Sequence, residues 1–228
     1  GKTYYHLTAE LEARLAANSI LLVANVNNGE KAAKAKFTFS ITKYAEAVIG
    51  GITSSEAEKN LLKDVLQYIR SAYAYFGTND ASAIEKINTL IGENYSNKPT
   101  AEGSVTATTV GLKSATFVLD GTPAMRFYLA DGADASKYAF FIGGTRVKTE
   151  TSADGKYIDI DVYAYALCET VTYTVGGVES GSFHINAYYT YVSGDSYTGA
   201  DKAELVTLTE CFWRYLQSAR EYKLSVAD

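Results

Sequence analysis

Phe39-Ser40-Ile41-Thr42-Lys43-Tyr44-Ala45 returns 144 residues later as Phe183-His184-Ile185-Asn186-Ala187-Tyr188-Tyr189. A second block, Tyr68-Ile69-Arg70-Ser71-Ala72-Tyr73-Ala74-Tyr75, returns 147 residues later as Tyr215-Leu216-Gln217-Ser218-Ala219-Arg220-Glu221-Tyr222. Upstream, the alternating Leu7, Ala9, Leu11 and Ala13 match Ile158, Ile160, Val162 and Ala164 at an offset of 151, and Ile20 matches Val171 at the same offset. Self-similarity in this order means one supersecondary unit used twice. The fold class it predicts is α+β: an antiparallel β-sandwich-like unit followed by a helical pair, with the β-hairpin-plus-helices unit occurring twice. Residues 1–100 then form a first, truncated unit of hairpin strands and three helices. Residues 101–228 form the second, a β-sandwich followed by two helices.

Local signals fill in this plan. Residues 2–39 read as three strands: one alternating through Leu7, Ala9 and Leu11, then Ile20 to Val26, then Phe37-Thr38-Phe39 after the turn residues Asn27-Asn28-Gly29. A short helix follows from Ile41 to Ile49 and stops at Gly50-Gly51. Ser55 and Glu58 make a capping-box pattern ahead of a helix carrying Leu62, Leu66, Ile69, Tyr73 and Phe76 on one stripe. Asp80 caps a third helix with Ile84, Ile87, Leu90 and Ile91 inward. From Val105 the period becomes two, with runs at 115–119, 124–129, 138–142, 145–148, 157–163 and 171–175 separated by Asp-Gly and Gly-Gly pairs, as in an antiparallel sandwich. The last helix takes Thr198 and Asp201 as its cap and Leu208, Phe212, Leu216 and Ala219 as its stripe. Leu66 and Trp213 fall at matching positions and are both predicted to face inward.

Composition narrows the function classes. With 47% hydrophobic residues, 21% charged and two prolines in 228, the chain is that of a folded globular protein. A net charge of −5 and one small basic cluster, Lys31, Lys34 and Lys36, speak against nucleic acid as a partner. No apolar run approaches the 18 or so residues that insertion into a membrane requires. Starting at Gly1-Lys2-Thr3, the chain reads as a processed or excised piece, with upstream domains of the same polypeptide as expected neighbours. Two cysteines, Cys168 and Cys211, are read as isolated thiols.

Nothing in the sequence makes a catalytic motif. His6 and His184 are the only histidines and neither has a carboxylate or cysteine at ligand spacing, so no metal or cofactor is expected. Asp131-Gly132-Ala133-Asp134 lacks the twelve-residue calcium loop and reads as turn chemistry. One pattern carries a sharper expectation. If Ile158, Ile160, Val162 and Ala164 face the core, the pleat sends Asp159, Asp161, Tyr163 and Tyr165 to the opposite face in a single row. Carboxylates beside aromatic planes suit sugar binding, since hydroxyls donate to the acid and C–H faces stack on the ring. The same pair could serve as acid and base in a glycosidase, because residues i and i+2 lie about 6.5 Å apart, and a plain solvated sheet face is a third reading. Of 19 tyrosines, those matched between the halves read as packing. The unmatched Tyr163, Tyr165, Tyr189, Tyr191 and Tyr197 are the better candidates for a binding surface.

A sandwich whose last hairpin runs into Phe-x-Ile-x-x-Tyr, followed by a longer helix ending in Tyr-x-x-Ser-Ala-x-x-Tyr, resembles an uncharacterised tandem module. That module occurs in secreted and surface multidomain proteins of anaerobic Gram-positive gut bacteria. The resemblance rests on packing motifs and carries over no catalytic residue. It implies an extracellular or cell-surface setting, with which the scarcity of cysteine agrees. The expected function is a non-catalytic module for adhesion or glycan binding, with glycans or a host or cell-surface protein as partner. The alternatives are a purely structural spacer and a glycan-active hydrolase.

Overall fold

The structure is a computed structural model describing residues 16, 18–27, 32–51, 54–78, 80–92, 95, 97–101, 108–119 and 123–227. The first expected strand, His6, and the turns at Asn28-Gly29 and Asp120-Gly121 lie outside the described residues. The fold is α+β with antiparallel sheets and six described helices. Its order is β1 (Ile20–Asn27), β2 (Ala32–Phe39), α1 (Ile41–Ile49), α2 (Glu56–Tyr75), α3 (Ala81–Ile91), β3 (Thr108–Thr109), β4 (Leu112–Val118), β5 (Ala124–Leu129), β6 (Tyr138–Ile142), β7 (Thr145–Arg146), β8 (Lys148–Thr151), β9 (Tyr157–Asp161), α4 (Ala164–Leu167), β10 (Val171–Val175), β11 (Val178–Phe183), α5 (Ile185–Ser193) and α6 (Lys202–Ser225).

β1 and β2 form a two-stranded sheet of their own, with Ile20 opposite Phe39 and Leu22 opposite Phe37. The other strands make two larger sheets, one in the order β3-β11-β10-β6-β7 and one in the order β4-β5-β9-β8. The central strands β5, β6 and β10 alternate because one face of each sheet is buried. In β5, Met125, Phe127 and Leu129 are inward and Arg126 and Tyr128 are not. Rings from both sheets meet in one core, where Phe127 lies 4.6 Å from Phe140 and 5.8 Å from Phe183 between centroids. A second core joins α1, α2 and α3 through Ala45, Val48, Leu62, Leu66, Ile69, Ile87 and Ile91.

Both hairpins run into a nine-residue helix in the same way. Ser40 (φ −148°, ψ 150°) caps α1, its Oγ accepting from Lys43 N at 3.2 Å, and His184 (φ −146°, ψ 154°) caps α5, its Nδ1 accepting from Asn186 N at 3.0 Å. The His184 Nε2–H donates to the Cys168 carbonyl at 2.7 Å, which fixes the tautomer. Ser40 is buried and its hydroxyl also meets Thr42 Oγ1, so Ser40→Ala leaves a backbone donor unsatisfied. The expected cost is about 1 kcal/mol in urea denaturation; an unchanged midpoint would show that the cap contributes nothing.

The two long helices, α2 and α6, pack on each other. Tyr68 and Tyr215 stack at the contact with centroids 5.9 Å apart and planes 11° from parallel. Beside them Asp64, fully buried, accepts from Arg214 Nε (3.1 Å), Tyr95 Oη (2.9 Å) and Asn97 Nδ2 (3.2 Å), and also meets the Ser218 hydroxyl. Arg214 is held in turn by both carboxylate oxygens of Glu221, at 3.0 and 2.8 Å. Gln217 accepts from Thr100 N and donates to Thr100 O, which ties the segment after α3 to α6. Cys168 and Cys211 are not joined in a disulfide.

Two strand expectations need correction. Residues 145–148 are not one strand: pairing breaks at Val147, whose N–H goes to the Phe140 carbonyl, and the chain passes there from β7 in one sheet to β8 in the other. Residues 157–163 are not one strand either. β9 ends at Asp161 and a turn of helix, α4, takes residues 164–167.

Candidate functional site

The early end of β9 takes the expected row apart. Asp159 points to the outer face of the four-stranded sheet, but Arg126, directly opposite it on β5, grips both its oxygens, Nε to Oδ1 and Nη2 to Oδ2 at 2.8 Å each. The guanidinium also lies 3.8 Å over the Tyr157 ring, and the Asp159 hydrogen bond is the leading cause that holds Arg126 more firmly protonated than a free arginine. Asp161 is the last residue of β9 and pairs in register with Lys148 of β8. Tyr163 precedes α4 and Tyr165 is inside it, so the sheet's pleat positions neither. They stack instead on each other, 5.7 Å between centroids and 18° from parallel, with Tyr163 75% exposed and Lys223 Nζ 6.0 Å from the Tyr165 ring. Asp159 is thus tied to Arg126 on the sheet and Tyr163 and Tyr165 form a separate aromatic pair beyond its end, while the side chain of Asp161 lies outside the described residues.

Tyrosines gather elsewhere, in a groove of about 450 Å³ at the edge strand β4. Tyr188 and Tyr191 come from α5, Tyr197 from the loop before α6, Tyr75 from the end of α2, and Tyr128 from β5 beside Arg126. Each is placed by a contact of its own. Tyr75 and Tyr197 donate to the two oxygens of Asp201 at 2.8 and 2.9 Å, and the Tyr191 ring meets Tyr197 edge-on at 6.0 Å. Tyr188 lies 5.8 Å from Phe117, and Tyr128 meets Tyr157 edge-on at 5.8 Å. The polar groups are matched in pairs. Hydrogen bonds from Tyr75 and Tyr197 hold the Asp201 carboxyl below the usual range, whereas burial and then the bond to Asp201 push the Tyr75 phenol up. Asp201 is the N-cap residue of α6 and its carbonyl accepts from Leu205 N, but its carboxylate caps no helix N–H and instead holds two groove tyrosines.

Of the unmatched tyrosines, Tyr191 and Tyr197 line the groove. Tyr189 does not: it donates to Glu210 at 2.7 Å and packs on Trp213, a structural position whose phenol is pushed up to about 12, chiefly by the Glu210 bond. Asp131 pairs with Lys113, and Asp134 accepts from Ser136 N in a single 3₁₀ turn, as turn chemistry predicts. Among the described residues no three His, Cys, Asp or Glu side chains lie together as metal ligands do, and no helix is long and apolar enough to cross a membrane. No protein-family model, curated protein or solved structure matches the chain. Function must therefore be argued from the geometry.

Proposed function

We propose that this chain is a non-catalytic binding module of a larger extracellular or cell-surface protein, and that it takes glycans in the tyrosine groove. The observation that carries this is the groove's lining, five tyrosine side chains around Arg126. Flat rings offer stacking planes to the C–H faces of a pyranose, while phenol oxygens and the Arg126 guanidinium offer hydrogen-bond partners to its hydroxyls. The volume suits one or two sugar rings and lies within the usual range of small-molecule sites. Favouring binding over hydrolysis, Asp159 has both oxygens on Arg126 and Asp201 has both on tyrosines. Neither is left to protonate a leaving group or activate water.

Titration calorimetry with a panel of host and plant glycans tests this. The unmutated chain is expected to give weak but measurable heat with at least one glycan. Tyr191→Ala, which removes an exposed ring from the groove, is expected to lower that affinity at least tenfold while leaving the unfolding midpoint in place. Tyr163→Ala is expected to leave binding alone; if it is the variant that abolishes binding, the stacked pair is the site. A panel without heat leaves the spacer reading.

We also infer that the two larger sheets are the layers of a sandwich and that the unit of hairpin plus two helices occurs twice. The shared ring cluster of Phe127, Phe140, Tyr173 and Phe183 supports the first. Several coincidences support the second. The strand pair Ile20–Phe39 corresponds to Val171–Phe183, and the two caps have nearly the same backbone angles. Ser71 donates to the Tyr68 carbonyl as Ser218 does to that of Tyr215, and the matched Tyr68 and Tyr215 stack on one another. The contacts are also reciprocal: Asp64 meets Ser218, while Cys211, which matches Asp64, meets Ser71, which matches Ser218.

A further inference from the structure

The hairpin β1–β2 has one face built only of apolar side chains among its described positions: Ile20, Leu22 and Ala24 from β1, with Phe39, Phe37 and Ala35 opposite them on β2. The other face is mixed, with Leu21 and Val23 beside Asn25, Lys34, Lys36 and Thr38. The apolar face is open. Leu22 is 39% exposed, Phe37 59% and Phe39 51%. Large side chains gathered on one face of a ribbon mark a contact surface rather than ordinary surface variation.

The counterpart hairpin shows what kind of surface covers such a face. On β10–β11 the corresponding Val171, Tyr173 and Phe183 are buried. Their cover has two parts: strand β6, which pairs with the outer edge of β10, and the inner face of the four-stranded sheet. From that sheet Phe117 reaches Phe183 at 5.6 Å and Phe127 reaches Tyr173 at 6.2 Å. One position differs in an informative way. A side chain at Gly181 would run into the Thr108 carbonyl of β3, and Phe37 stands at the matching place on β2. A unit seated on β1–β2 therefore has no strand in the place of β3.

We propose that the apolar face of β1–β2 is the seat of a further β unit of the same build as residues 112–151, carried ahead of it in the polypeptide. That unit supplies a β6-like strand to the edge of β1 that no described strand pairs with, and an aromatic sheet face over Leu22, Phe37 and Phe39. The proposal rests on the duplicated-unit reading and not on the glycan groove, which involves neither β1 nor β2.

The test joins residues 112–151 directly ahead of Gly1, which reproduces the spacing of the second unit because residue 1 corresponds to residue 152 at the offset of 151. Leu22→Cys is placed in this extended protein and in the 228-residue chain, with Cys211→Ser in both; Cys168 is buried. Reaction of the introduced thiol with a chromogenic disulfide is expected to be fast in the shorter chain and at least tenfold slower in the extended one. Equal rates in an extended protein that gains β signal in circular dichroism overturn the docking face while leaving the duplication standing. An extended protein that gains no β structure overturns the duplication and the docking face together. Sedimentation equilibrium of the 228-residue chain gives a third check: a discrete dimer abolished by Leu22→Asp assigns the face to a second copy and overturns the proposal. Glycan heat, read on the same samples, reports on the groove separately.

Discussion

Leu66→Asp is expected to destabilise the chain by about 4 kcal/mol or more and to melt the α1–α2–α3 core first. Leu66 is fully buried, and the buried side chains clustered around it, Ala45, Val48, Leu62, Ile69, Tyr73, Ile87 and Ile91, include no cation to meet a carboxylate. The variant must either bury an unpaired charge or hold a proton against neutral pH, and both cost free energy that a domain with about 5–15 kcal/mol in total can scarcely offset. Leu66→Ala separates the two effects. It removes the packing alone and is expected to cost about 2–5 kcal/mol according to how far the cavity collapses. Urea denaturation followed by circular dichroism reads both, and a Leu66→Asp midpoint no lower than that of Leu66→Ala would place this residue outside the core.

Arg214→Met is the second large effect, expected at about 3–5 kcal/mol at pH 7, because removing one partner strands the other's charge. Asp64 is fully buried and would keep only neutral neighbours, the donors Tyr95 and Asn97 and the Ser218 hydroxyl. Glu221, the other partner, is half exposed and returns to water. The pH dependence distinguishes this from lost packing. Burial already raises the Asp64 pKa in the folded protein, so the folded state takes up a proton more readily than the unfolded one. Its contribution to stability is therefore greatest below the unfolded pKa of 3.8 and is lost as pH rises through the raised folded value. Loss of the arginine charge pushes that value further up. The deficit of Arg214→Met is thus expected to shrink between pH 7 and pH 4.5, and Asp64→Asn in the same background to recover most of it. A deficit constant across that range would mean that the arginine's stem, not its charge, is what matters.

Much of the fold could be read from residue order because its signals are local. The runs 124–129, 138–142 and 171–175 and the helix 41–49 have the expected bounds, each set by alternation or stripe together with glycine or turn residues at its ends. The run from Ile158 to Ala164 misled because Val162 and Ala164 do pack toward the core, yet from a bend and a helical turn rather than from a longer strand. Leu167 and Cys168, three and four residues after Ala164 and both buried, were the helical signal. The site was less legible because it is assembled from distant segments. Asp159 could be seen on the outer face, but its partner Arg126 sits 33 residues earlier and meets it only because β9 lies beside β5. Tyr191 and Tyr197 stood out by lacking a match between the halves. Tyr75 and Tyr188 have such a match, which reads as packing, yet they line the same groove.

On the duplicated-unit reading proposed above, the stacked Tyr68 and Tyr215, with the crossed contacts of Asp64 and Cys211 on either side, bear on what a longer polypeptide of such units would look like. A contact in which each helix offers the other the same patch is saturated by two participants, since neither keeps a free copy of that patch for a third. Units joined through this seam would pair off rather than stack into a continuous superhelix, in contrast to solenoid repeats whose two sides differ and so propagate without limit. An array so built would be jointed at every second unit, and an odd unit at its end would leave one long helix bare.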